Sequence, residues 1–145
     1  MQAFSIDDVT TTEIDDAFSV QHLADGDICI GIHIAAPALS IQRDDAIDTI
    51  ARARMSTVYM PGDKITMLPD EFVNLYTLAE GNPRPALSLY ITLNQEDWSV
   101  RSTKTVIEQV PVAANLRHND LDELVTEETL QNGEGDYLFK KEISL

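Results

Sequence analysis

Cysteine is almost missing from this 145-residue chain: Cys29 stands alone, which excludes a disulfide framework and any zinc site built from several thiolates. Its expected role is that of a small buried hydrophobe. Cations are scarce too. Ten Lys and Arg face 25 Asp and Glu, a formal charge of −15 at pH 7, and that imbalance argues against a surface that tracks phosphates. No apolar run approaches the ~18–20 residues of a membrane-spanning helix, so no membrane is expected as a partner. The opening residues, MQAFSIDD, have neither the basic start nor the apolar stretch of a secretory signal, and a cytoplasmic location is the expectation. Acidity does not mean disorder here, because 43% of the residues are apolar and disorder needs few of them. The length suits one ordinary domain. Chemically rich residues nevertheless begin at Asp7, and the closing DYLFKKEISL reads as the start of an apolar helix. The chain is therefore expected to be a piece of a longer one.

Along the chain, Ala3 to Ile6 reads as a short strand, and Phe18 to Leu23 as a second, followed by the turn Asp25-Gly26-Asp27. Ile28, Ile30, Ile32 and Ile34 then alternate with Cys29, Gly31 and His33. A period of two predicts a half-buried strand with one isoleucine face, paired through the turn as a hairpin. Helical spacing follows over Asp44 to Met55, with acids in the first turn and Arg52 and Arg54 in the last, as the helix dipole favours. Thr57 to Met60 and Ile65 to Leu68 read as strands about Pro61-Gly62-Asp63, and Pro69 opens a short helix. Ala86 to Leu93 and Trp98 to Ile107 form the next predicted hairpin, and Val110 to Ala114 stays extended. One helix capped at Asn119 or Asp120 carries Leu121, Leu124, Val125 and Leu130 until Gly133. The fold class is α+β, rich in antiparallel strands with a few short helices.

The most informative stretch is Ser5-Ile6-Asp7-Asp8-Val9-Thr10-Thr11-Thr12-Glu13-Ile14-Asp15-Asp16-Ala17, with five carboxylates and no cation. Like charges this close repel, and partial burial adds to the cost. Two readings stand: a solvated acidic loop, the fate of most charge runs, or a site for a divalent cation. Mg²⁺ takes hard oxygen ligands and is commonly held by a few carboxylates, waters and substrate phosphate. Apolar Phe4, Ile6, Ile14, Phe18 and Val20 anchor the segment at both ends. The three threonines and the absence of glycine do not fit a calcium-binding loop, which needs a glycine at its turn.

This segment resembles the first motif of the ribonuclease II and ribonuclease R family, the RNB catalytic domain: Ile-Asp, a Ser/Thr-rich spacer, then an acid, a hydrophobe and Asp-Asp-Ala. The likeness continues in order through Gly31-Ile32-His33-Ile34-Ala35, Arg54 to Tyr59 with Met60-Pro61, Met67-Leu68-Pro69, Leu75-Tyr76-Thr77-Leu78 and Arg84-Pro85. The resemblance implies residues 1–145 are the front portion of such a domain, incomplete and without the flanking OB-fold domains. It implies a processive, hydrolytic 3′→5′ exoribonuclease that degrades single-stranded RNA to nucleoside 5′-monophosphates, using Mg²⁺ as cofactor, with no DNA expected. Carried over by position, Asp7 and Asp16 would hold the metal, and Asp15 and Glu13 would be catalytic. Tyr59 would stack on a base near the RNA 3′ end and His118 would contact RNA. Taken alone, Tyr59 also reads as a half-buried strand tyrosine and His118 as a surface residue before a helix cap.

Three departures motivate an alternative, a catalytically inactive RNB-like module that binds RNA or protein. Glu13 stands where aspartate is usual, Ala36 where aspartate is frequent, and His118 where a tyrosine contacts substrate. A further alternative is a metal-binding acidic domain with no nucleic-acid role. His22 and His33 match nothing catalytic and are expected in core or surface roles.

Overall fold

The computed structural model describes residues 1–144. Its strands β1 (Ala3–Asp7), β2 (Asp16–His22), β3 (Ile28–Ala35), β6 (Arg84–Leu93), β7 (Val100–Val110) and β8 (Val112–Arg117) form one sheet in the order β7-β6-β3-β2-β1-β8. All neighbours run antiparallel except β1 and β8, which pair in parallel. A separate two-stranded hairpin, β4 (Val58–Met60) and β5 (Asp63–Ile65), lies outside it. The helices are short: α1 (Ala46–Arg54), α2 (Asp70–Tyr76), α3 (His118–Leu121), α4 (Glu127–Asn132) and α5 (Lys140–Ile143). The α+β class with antiparallel strands in the majority is what is observed.

Pro111 alone separates β7 from β8, although these strands occupy opposite edges of the sheet. The sheet must therefore coil until its edges approach, and the Ala3 amide donates to the Pro111 carbonyl at that junction. Coiling narrows the interior and favours small side chains on the strands that face it. Ala3, Ala17 and Ala86 pack there with Val110, Val112, Ile14 and Leu78 as the buried core. Leu78 is fully buried, a contribution of about 1.5–3 kcal/mol from one side chain.

β3 is half-buried, as its alternation predicts. Its isoleucine face grades from fully buried Ile28 to exposed Ile34, and His33 on the opposite face is only 1% exposed. Register places that ring: Ala17, His33 and Ser88 are cross-strand neighbours on the coiled interior. The interior accepts a polar ring because its needs are met. Ser19 Oγ lies 2.8 Å from His33 Nε2, and Ser88 Oγ lies 2.8 Å from Nδ1. Gly31 makes this possible, since a Cβ there would stand 2.4 Å from Ser19 Oγ. Cys29 is half-buried. Phe139 stacks on Phe4 on the outer face, while Phe18, Ile34, Leu87 and Ile107 of that face remain exposed.

Burial holds the His33 imidazole below its ordinary pKa of 6.5. The unfolded chain then binds more protons than the folded one as pH drops past 6.5, so stability falls with acidification. Thermal melts at pH 7.5 and 5.5 should show a larger loss for the native chain than for a His33→Gln variant; equal losses would remove His33 as the cause.

Two other predicted elements change. The helix foreseen from Asn119 to Gly133 is split into α3 and α4, because Thr126 caps a new start by accepting the Thr129 amide in a reciprocal capping box. Gly133 does end α4, in the left-handed conformation. The second strand of the small hairpin lies at Asp63–Ile65, before the predicted Ile65–Leu68. Met60 pairs directly with Asp63 across Pro61-Gly62, and Gly62 supplies the positive φ the tight turn requires.

Candidate active site

β1 ends on Asp7 and its antiparallel neighbour β2 begins on Asp16. The segment between them carries the remaining acids and closes one end of the central strand pair. It is pinned. Ile14 is buried, its amide donates to Thr77 Oγ1 at 2.8 Å, and its carbonyl accepts the Leu78 amide at 2.8 Å. The Asp15 carbonyl accepts the Ala35 amide at 2.8 Å. The segment Leu75 to Leu78 thus serves as the buttress of the acidic loop.

Each acid has a distinct environment. Asp7 Oδ2 accepts the Ser5 hydroxyl at 2.5 Å, and Ser5 Oγ in turn accepts Asn115 Nδ2 at 2.9 Å. The second Asn115 donor contact, to the Leu78 carbonyl, ties this relay to the buttress. Asp16, first residue of β2, is exposed at the sheet end. Asp15 has its pKa raised above the ordinary 3.8, first by desolvation and then by the like charges of Glu13, Asp16 and Asp7, against a smaller opposing effect of Lys64. Glu13 differs from the other three. Its Oε1 lies 2.6 Å from Lys64 Nζ, and its Oε2 accepts Thr57 Oγ1 at 3.0 Å.

Two cations without a sequence motif complete the site. Lys64 also donates to Thr12 Oγ1 at 2.6 Å, and the Arg117 guanidinium donates to the Asp8 carbonyl at 2.8 Å. Parallel pairing of β1 with β8 puts Arg117 beside Asp7, so exposed His118 follows one residue beyond. Tyr59, 70% exposed, stands on the small hairpin. It lines two cavities: one of about 430 Å³ with Glu13, Asp15, Thr57 and Tyr76, and one of about 810 Å³ with Asp8, Thr10 and Lys64. The structure therefore brings Tyr59 together with Glu13, Asp15 and Asp8 from separate elements, while Asp7 and Asp16 line neither cavity. None of these added residues shows a local pattern in the sequence; only the spatial pairing reveals them.

The donor set suits a cation that needs few protein ligands. Among the described residues no group of three or more His, Cys, Asp or Glu is placed to hold a metal ion between them, so any cation here would have at most two of these carboxylates as ligands. Mg²⁺ does not require more, since it commonly retains waters and takes substrate phosphate as ligand. The like-charge strain on Asp15 is what a divalent ion would relieve.

Residues 1–142 match the RNB domain family. The chain belongs to that family. As an RNB chain it is 41% identical over 98 residues to exoribonuclease 2 of Edwardsiella piscicida, covering 67% of this chain and 15% of that relative. RNase R of Mycoplasma genitalium, solved in complex with double-stranded RNA, shares the fold with a TM-score of 0.79 at 19% identity, covering 95% of this chain and 23% of that one. Yeast Ssd1, a pseudonuclease, superposes with a TM-score of 0.77 at 24% identity over 90% of this chain and 17% of its own. The RNB chain thus spans less than a quarter of the length of each.

Proposed function

We propose that this chain is the front portion of an RNB catalytic domain and that the natural polypeptide carrying it is a hydrolytic 3′→5′ exoribonuclease. Its substrate is single-stranded RNA, its products are nucleoside 5′-monophosphates, and its cofactor is Mg²⁺. The observation that carries the reading is the placement of Asp7 at the end of β1 and Asp16 at the start of the adjacent β2, with Asp15 beside them, its pKa raised first by desolvation and then by the like charges of Glu13, Asp16 and Asp7. Asp7 and Asp16 would hold the metal. When bound, Mg²⁺ stabilises charge on phosphate oxygens and makes water a better nucleophile. Asp15, whose pKa is raised by desolvation and neighbouring acids, is suited to orient that water and accept its proton, because a raised pKa moves a carboxylate toward the working range of a general base. The negative charge of the chain as a whole leaves affinity for the RNA backbone to the metal, to Arg117 and to the rest of the polypeptide.

Exposed Tyr59 offers a face on which a terminal base can stack, a contact of roughly 1–3 kcal/mol that tolerates any sequence. Tyr59→Ala should lengthen the shortest RNA left at the end of digestion more than it slows the chemistry. An unchanged end product on a sequencing gel would return Tyr59 to the role of an exposed strand residue.

A second reading is a retired nuclease that binds RNA. The likeness to the pseudonuclease Ssd1 and the engagement of Glu13 by Lys64 favour it. Uniformly labelled single-stranded RNA incubated with the natural polypeptide and Mg²⁺, with and without EDTA, separates the two. Release of monophosphates that EDTA abolishes supports the enzyme; retention of intact RNA on the protein supports the binding module.

A further inference from the structure

We infer that Glu13 and Lys64 form a positioning clamp that fixes the β4–β5 hairpin, and with it Tyr59, at a set place beside the acidic loop. The inference rests on the RNB reading proposed above and changes the part played by Glu13, from an acid that acts on substrate to one that holds the wall of the site.

The hairpin needs such a device. It is hydrogen-bonded to itself as a two-stranded sheet of three residues per strand and joins no strand of the main sheet. Val58, Tyr59, Met60 and Ile65 are all exposed, so it has little apolar burial of its own, and two-stranded hairpins are marginal in water. Side-chain tethers must therefore set its position. Glu13 supplies both at once. Oε2 takes the Thr57 hydroxyl, one residue before β4, and Oε1 takes Lys64, within β5. Tyr59 lies between these two anchor points in sequence and is the direct cross-strand partner of Lys64. Moving Lys64 therefore moves Tyr59.

The pair is shielded enough to matter. The Glu13 side chain is 11% exposed and that of Lys64 29%, unlike open surface ion pairs, most of which contribute little. Thr57 adds rigidity, since its hydroxyl oxygen also accepts the Met67 amide at 3.1 Å. The identity of the acid follows from reach. Glutamate is longer than aspartate by one C–C bond, about 1.5 Å. An aspartate at this position would leave both the 2.6 Å and the 3.0 Å contacts beyond hydrogen-bond range unless the hairpin moved inward. With both oxygens engaged and its charge balanced by Lys64, Glu13 is not a metal ligand here.

Amide hydrogen exchange on this chain, read over residues 58–65, tests the clamp without any need for turnover. Lys64→Gln and Glu13→Asp should each speed exchange there by about tenfold or more, the loss expected for a partly shielded charge-assisted bond. Glu13→Asp combined with Lys64→Arg, whose longer arm restores the reach, should recover protection, a non-additivity that a pair in contact shows. In the natural polypeptide the single variants should also lengthen the end product, as Tyr59→Ala does, while a Mg²⁺ titration by calorimetry stays within about threefold of the native affinity. Unchanged exchange in both single variants overturns the clamp. Loss of Mg²⁺ binding on Glu13→Asp, with exchange unchanged, overturns it in favour of a ligand role. Faster exchange in a polypeptide that hydrolyses no RNA supports the clamp and overturns only the exoribonuclease reading.

Discussion

Asp16→Asn is expected to lower RNA hydrolysis about a thousandfold, equivalent to the several kcal/mol of charge stabilisation that a bound metal supplies. RNA affinity should be unchanged or higher. The substitution keeps shape and removes one negative charge from a residue that is exposed at the start of β2, so the sheet register, with Asp16 opposite Ile34, has no reason to change. A carboxylate facing phosphates repels them in the absence of metal, which is why its removal does not weaken binding. A time course on labelled single-stranded RNA, paired with fluorescence anisotropy on the same oligonucleotide, checks both halves. Hydrolysis within tenfold of the native rate would sink the assignment of Asp16 to the metal.

Asp15→Asn should do two opposite things. Hydrolysis should fall steeply, and the metal-free chain should melt at a higher temperature. The sign comes from linkage. The folded-state pKa of Asp15 is raised, so its protonated form favours folding, and that contribution is lost as pH rises through the raised value. At neutral pH the ionised carboxylate therefore opposes folding, and asparagine removes the opposition. The gain is limited to about 2–4 °C, because the side chain is partly open to solvent and screening weakens the repulsion. The difference should grow at low ionic strength and shrink on addition of Mg²⁺, which relieves the native carboxylate and not the amide. Calorimetric melts at two salt concentrations, with and without Mg²⁺, measure this. An unchanged or lower melting temperature for the variant in metal-free, low-salt buffer would remove the like-charge account of the site.

These outcomes bear on what the site is for. Desolvation and neighbouring acids raise the Asp15 pKa, whereas the Glu13 carboxylate is paired with Lys64, and perturbed carboxylates of the first kind cluster at functional sites. Asp15 and Glu13, which look equivalent as members of one acidic run, have different environments in space.

Much of the fold was legible. Alternation along Ile28 to Ala35, and the turn before it, gave the β2–β3 hairpin, because a period of two has few other solutions. Which role His33 takes was not legible. The period of two leaves core and surface both open, and only the register of β2, β3 and β6 puts Ser19 and Ser88 on either side of the ring, where they satisfy it. The helix after Asn119 read as continuous from its leucines. Thr126 breaks it, since local side-chain capping competes with helix continuation in a segment with little burial to hold it together.

The sequence by itself determined the acid spacing from Asp7 to Asp16, the strand periods and the family to which the chain belongs. Those are local or collinear properties, carried by neighbours along the chain. The tertiary structure decided which acid is neutralised and which is strained, and where Tyr59 stands. Lys64 is 51 positions from Glu13, Thr77 is 63 from Ile14, and Arg117 is 109 from Asp8. Hydrogen bonds and charge–charge interactions act over a few ångströms of space, and separations of that size along a chain acquire a distance only when the sheet coils and β8 comes to lie beside β1.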